Sequence, residues 1–287
     1  MVQEERPGLF QGERLLVGVG LLGIALSGAI AVWILLRGNA LIPPEGELAD
    51  VRDFMFAVGV FTITLAAMLP LAGFSQRGRR RFRWWITGLT VYFYGAELVP
   101  TLFGQDPRFS PEPVFAVFGG IFGIGSLVLS TLYVIFTVAL FRSRVSRQTL
   151  LMGARYGMLA ALVAVFGGVL MGTVFSGREV GNAGNLLVSH AVGFHGLQAV
   201  PLVAWLLERS NLSFGVAQRW AHLAGGSWLA FAVLTFTQAV LGHGPMDAGL
   251  VLYLSIAFAG VWLLALAFSS VAWARSRSVS VATAPTG

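Results

Sequence analysis

The chain contains no cysteine and no lysine. Without cysteine, disulfides, thiolate metal sites, iron–sulfur clusters and cysteine nucleophiles are excluded. Without lysine, Schiff-base chemistry is excluded, a retinylidene rhodopsin included, and so is a lysine nucleophile. All 19 basic residues are arginine. Charge of either sign is scarce: charged residues make up 11% of the chain, against ~25% in a soluble domain. Familiar catalytic patterns are missing too. There is no His-rich desaturase box, no His-Glu-x-x-His and no Gly-x-Ser-x-Gly. Ser189-His190 is a poor catalytic pair, because adjacent residues point apart on a helix. The sequence leans away from an enzyme and leaves that question open.

Apolar side chains take up the room. They make up 56% of the 287 residues, and the mean hydropathy is +0.77. That exceeds what a soluble core hides. A membrane span needs ~20 apolar residues. Eight runs qualify: Leu15–Leu36, Phe54–Phe74, Trp84–Phe103, Val114–Phe141, Leu151–Phe175, Val188–Leu207, Trp220–Gly242 and Leu250–Ala274. The fold expected is an all-α polytopic membrane helix bundle of eight transmembrane helices. Residues 1–14 form a short N-terminal segment, 15–274 the transmembrane domain and 275–287 a disordered tail. The N-terminus, Met-Val-Gln-Glu-Glu-Arg, is acidic where a signal peptide is basic, which argues against a cleavable signal.

The arginines sort to one side of this ladder. Arg6, Arg14, Arg77, Arg79, Arg80, Arg81, Arg83, Arg142, Arg144, Arg147, Arg155, Arg209, Arg219, Arg275 and Arg277 fall on one face, and only Arg37, Arg52, Arg108 and Arg178 on the other. Arginine-rich short loops mark the cytoplasmic face. Both termini are therefore expected in the cytoplasm, in a bacterial inner membrane. The high isoelectric point is no nucleic-acid signal, since the charge sits in short loops beside spans. The expected partners are the bilayer and a small solute or ion, with no nucleic acid; an oligomer is left open.

The halves show a faint tandem pattern. Pro70-Leu71, Arg83-Trp84 and Gly104-Gln105-Asp106-Pro107 recur in order as Pro201-Leu202, Arg219-Trp220 and Gly242-His243-Gly244-Pro245. Four spans per half would make a 4+4 parallel repeat. Coincidence with shared turn chemistry is the competing explanation.

An ionisable residue inside a span is costly and marks a candidate site. Glu97 is the single acid within a span, roughly 9 Å from its outer end at 1.5 Å per residue. It shares one helical face with Thr87, Thr90, Tyr94 and Thr101, which predicts that this face looks into the bundle. His190, His195 and Gln198 share a broad polar face on the sixth span, with His195 at a depth similar to Glu97. Gln238 lies near the outer end of the seventh span and His243 just beyond it. Ser126, Ser130, Tyr133 and Thr137 stripe the fourth span, although such hydroxyls commonly bond to their own backbone. The pairs Gly119/Gly123 and Gly168/Gly172 have close-packing spacing. The candidate ligand or proton site is thus Tyr94, Glu97, His190, His195, Gln198 and Gln238, in the outer leaflet.

Two chemistries fit. One is a transporter-like protein for protons, a metal ion or a small polar solute. The other is a redox subunit with haem or a divalent metal on His190, His195 and His243. An i,i+5 pair such as His190 and His195 suits a single metal poorly, since i,i+4 is usual. A non-catalytic assembly subunit is the bland alternative. Eight spans with internal termini are shared with haem A synthase, but that family distributes histidines over several helices of both halves. Here the first, second, fourth, fifth and eighth spans have none, and the match is rejected. The segment from His190 through His195 and Gln198 to Pro201-Leu202 resembles a His-x4-His-x-x-Gln-x-x-Pro-Leu helix in a family of bacterial multi-span inner-membrane proteins without assigned activity. The Thr237-Gln238-Ala239 piece is similar to that family as well. The resemblance covers about a fifth of the chain. It implies that His190, His195, Gln198 and Gln238 belong together.

Overall fold

A backbone crosses lipid only if its own N–H and C=O groups satisfy one another, and a helix does this within a single segment. The structure, a computed structural model, describes residues 7–108, 110–175 and 177–282. Its helices are α1 (Arg14–Arg37), α2 (Leu48–Met68, continued by a 3-10 turn over Leu69–Leu71), α3 (Gln76–Leu102), α4 (Pro113–Arg142), α5 (Gln148–Thr173), α6 (Leu186–Glu208), α7 (Phe214–Val240) and α8 (Leu250–Ala282). Two hairpins interrupt them: β1 (Leu41–Ile42) with β2 (Gly46–Glu47), and β3 (Glu179–Val180) with β4 (Gly184–Asn185).

All eight expected spans are helices, and seven are long and apolar enough to cross a membrane. The exception is α3. Arg77, Arg79, Arg80, Arg81 and Arg83 fill its first turns, and the rest carries threonines, tyrosines and Glu97. Large apolar side chains such as Leu35, Leu36, Ile124 and Leu264 stand exposed on the other helices, an arrangement that suits lipid and not water. The chain is a multi-pass membrane protein in character.

The chain divides into two compact units, Pro7–Ile135 and the part from Phe136 onward, with the division inside α4. The sequence alone suggests a single transmembrane domain. In the first unit, Leu16, Val19, Gly20, Gly23, Ser27 and Ile30 form the buried stripe of α1, at spacings of three and four. Gly20 and Gly59 meet there: a Cβ on either would lie 2.7 Å from the other's carbonyl oxygen. In the second unit a Cβ on Gly157 would lie 2.8 Å from the carbonyl of Gly196. Lipid tails are as apolar as leucine, so close backbone approach of this kind, and not the hydrophobic effect, is what favours helix pairing. The glycines expected in this role behave differently. Gly119 receives the Arg108 backbone and Gly168 the His190 ring, while Gly123 and Gly172 have nothing within 4 Å.

The two units repeat one order: helix, hairpin, helix, helix, helix. The offset is constant at 138 residues (Gly46 to Gly184, Gly104 to Gly242, Gln76 to Phe214, Leu102 to Val240). The hydrogen bonds repeat with it. Glu45 N donates to the Gly104 carbonyl and Ala183 N to that of Gly242. Leu48 N donates to Ala40 and Leu186 N to Arg178; Gln105 N to Pro100 and His243 N to Gln238. Even the caps correspond: the Glu47 and Asn185 side chains accept from the N–H two residues on. Not every sequence pair survives. Pro70 sits in the 3-10 turn that ends α2, whereas Pro201 lies inside α6. Arg83-Trp84 and Arg219-Trp220 lie two residues out of register with this offset.

The ends are more ordered than their composition suggests. α8 runs through Arg275 and Arg277 to Ala282, beyond the expected end at Ala274; residues 283–287 lie outside the described ones. The Ser276 hydroxyl donates to the carbonyls of Trp273 and Arg209, which ties this stretch to the end of α6. At the other terminus, Glu13 is fully buried and binds Arg79 and Arg83, each at 2.6 Å.

Candidate functional site

The expected polar face of α3 is buried: Thr87, Thr90, Tyr94, Glu97 and Thr101 are each less than one-tenth exposed. Two of these side chains are committed to structure. The Tyr94 hydroxyl donates to the Val19 carbonyl at 3.3 Å and fills the notch left by Gly23 of α1. Thr101 Oγ1 donates to the Glu97 carbonyl at 2.8 Å.

Glu97 itself is wholly buried. One carboxylate oxygen, Oε1, accepts from the Arg108 guanidinium; the other, Oε2, has no hydrogen-bond partner among the described residues. Arg108 comes from the loop between α3 and α4. Gly104, at φ +72°, turns the chain after α3, and Arg108 N donates to Asp106 Oδ1 at 2.7 Å. The loop then lies against α4, where a Cβ on Gly119 would meet the Arg108 carbonyl oxygen at 2.6 Å. The guanidinium carbon stands 5.8 Å from the Phe54 ring and 5.5 Å from that of Phe122. Phe93 packs on Phe122 at 4.8 Å. Each cation–π contact contributes about 0.5–2 kcal/mol, more when desolvated. Arg108 is 38% exposed while its partner is fully buried, so the pair has one wet and one dry end. Asp106 and Asp50 lie within electrostatic reach of Glu97. Glu97 thus has one arginine partner and two further acids within electrostatic reach, a surrounding that disfavours added negative charge.

The remaining expected residues lie in the second unit. His190 Nδ1 donates to the Ala164 carbonyl at 2.8 Å, and its ring packs edge-on against Phe194. His195 is on the exposed side of α6, and Gln198 is half-buried. Gln238 is buried, but its amide donates to the carbonyls of Gly244 at 2.7 Å and Asp247 at 3.3 Å. It closes the loop between α7 and α8, and its donors are spent there. His243 is exposed in that loop, and the hydroxyl of Tyr156 pairs with His222. His190, His195 and His243 form no ligand group; among the described residues no three of His, Asp and Glu are arranged to hold a metal ion. On α4, Ser126 and Ser130 donate to their own helix, to Phe122 and Ser126.

The repeat explains part of this division. At the 138-residue offset Glu97 corresponds to Thr235 and Arg108 to Met246. The Thr235 hydroxyl donates to Phe231 and Ala232 of its own helix. The first unit holds its loop with a charged pair, the second with a neutral amide. Arg108, Phe54 and Phe122 are the residues that sequence reasoning missed. The available signal was an arginine on the arginine-poor face, 11 residues after the single acid within an apolar run. No family model, no curated protein and no solved structure matches the chain.

Proposed function

We propose that this is a transporter-like inner-membrane protein in which Glu97 carries an exchangeable proton and Arg108 holds it between exchanges. The reading places α3 in the bilayer as an eighth span, with both termini in the cytoplasm, as the arginine bias implies. The observation that carries it is the half-satisfied carboxylate: a fully buried Glu97 with Oε2 unpartnered among the described residues and Oε1 on a partly exposed arginine. A buried acceptor left unpaired costs about 1–3 kcal/mol, more for a charged group. A proton on Oε2 neutralises the buried charge and so lowers that cost, weakens the hold on Arg108 and frees the arginine to swing toward the wet side. Those are the two states a proton-coupled carrier needs. The excess of acids around the pair favours this reading over capture of an anion.

The test is flux. In proteoliposomes with an entrapped pH dye and an imposed membrane potential, the wild-type chain is expected to move protons, and Glu97→Gln to fall to the rate of empty vesicles. Wild-type flux no higher than that of empty vesicles, or full flux in Glu97→Gln, refutes the assignment.

A further inference from the structure

The five arginines at the start of α3 divide into two sets. Arg79 and Arg83 turn inward and are neutralised by Glu13. Arg77, Arg80 and Arg81 turn outward, are exposed, and meet no carboxylate among the described residues. They crowd the N-terminal turns of a helix, where the macrodipole favours anions and opposes cations. A sequence that keeps three unpaired cations there works against helix stability.

These arginines open onto a furrow of about 590 Å³ along the outer face of α3. Arg77, Arg80 and Arg81 line one end. Trp84 and Trp85, each 57% exposed, form the middle. Gly88 is the floor beyond them, with nothing within 4 Å of where its Cβ would be. From Arg81 to Gly88 is roughly 10 Å at 1.5 Å per residue. Cationic, then aromatic, then smooth and apolar is the order of a lipid: phosphodiester, glycerol backbone, acyl chain. Tryptophan prefers the same interfacial level.

We infer that this furrow binds an anionic phospholipid of the arginine-rich leaflet, its phosphodiester on Arg77, Arg80 and Arg81 and one acyl chain laid past Trp84 over Gly88. A free phosphate would use the arginines alone and would leave the apolar half without purpose. The inference does not depend on Glu97.

Native mass spectrometry of the full chain tests it, in mild detergent with phosphatidylglycerol, phosphatidylcholine or inorganic phosphate added. Wild type is expected to hold phosphatidylglycerol in preference to phosphatidylcholine, and phosphate is not expected to displace it. Joint replacement Arg77→Gln, Arg80→Gln and Arg81→Gln should weaken retention by roughly fivefold for each arginine lost. Gly88→Phe keeps every charge and should also lower retention by filling the acyl path; it decides the matter if the triple variant misfolds. Equal retention of both lipids, unchanged binding in a folded triple variant or in Gly88→Phe, or displacement by phosphate would each overturn the inference.

Discussion

Replacing Arg108 with methionine is expected to cost about 2–4 kcal/mol of stability, and adding Glu97→Gln to return most of it. Breaking a fully buried ion pair from one side costs about 3–5 kcal/mol, because the remaining charge is stranded. The expected loss is set somewhat lower because Arg108 is 38% exposed and water shares in solvating it. The wholly buried Glu97 is the group that suffers. Methionine keeps apolar contact with Phe54 and Phe122, so the loss isolates the charge. In the double variant the neutral amide has no charge to strand. Denaturation midpoints of the four proteins in one detergent form the cycle. If Arg108→Met and the double variant lose the same amount, the pair is not coupled and the site dissolves.

The hairpin joint should be nearly as sensitive, and unequally so in the two halves. Gly104 and Gly242 occupy equivalent places with φ +72° and +79°. A side chain there costs about 1–2 kcal/mol from the left-handed backbone alone. At Gly104 a Cβ would also run into Pro43, whose carbonyl carbon is 2.7 Å away; at Gly242 the nearest atom is 3.5 Å away. Overpacking adds about 1–3 kcal/mol where the neighbour is backbone. Gly104→Ala should therefore destabilise by about 3 kcal/mol and Gly242→Ala by about 1–2 kcal/mol. Equal losses would mean that Pro43-Pro44 yields readily, and that this hairpin does not fix the loop carrying Arg108.

Helix number and the burial of the α3 face were legible in the sequence, because both rest on local period: apolar runs of span length, and Thr87, Thr90, Tyr94, Glu97 and Thr101 at steps of three and four. The hairpins were not. Leu41–Ile42 and Glu179–Val180 are two-residue strands whose pairing depends on a glycine across the turn and on the end of a helix more than fifty residues away. The repeat was visible at Gly104 and Gly242, where the chain must turn. It was misread at Pro70 and Pro201, where similar residues serve different local structures. The partner of Glu97 could not be read, because Arg108 returns to it through a loop folded on Gly119. Gln238 was drawn into the expected site by its depth and by the resemblance of its segment, yet its amide is consumed by its own loop. Depth along a helix is a local property of the sequence; direction and partner are not.

The central claim is that the Glu97 carboxyl takes up and releases a proton inside the membrane protein. Infrared difference spectroscopy of the reconstituted chain on acidification measures this directly. The prediction is a carbonyl stretch of a buried protonated carboxylic acid that appears in the wild type, is absent from Glu97→Gln, and shifts in Arg108→Met. A wild-type spectrum without that band, or the same band persisting in Glu97→Gln, would contradict the account.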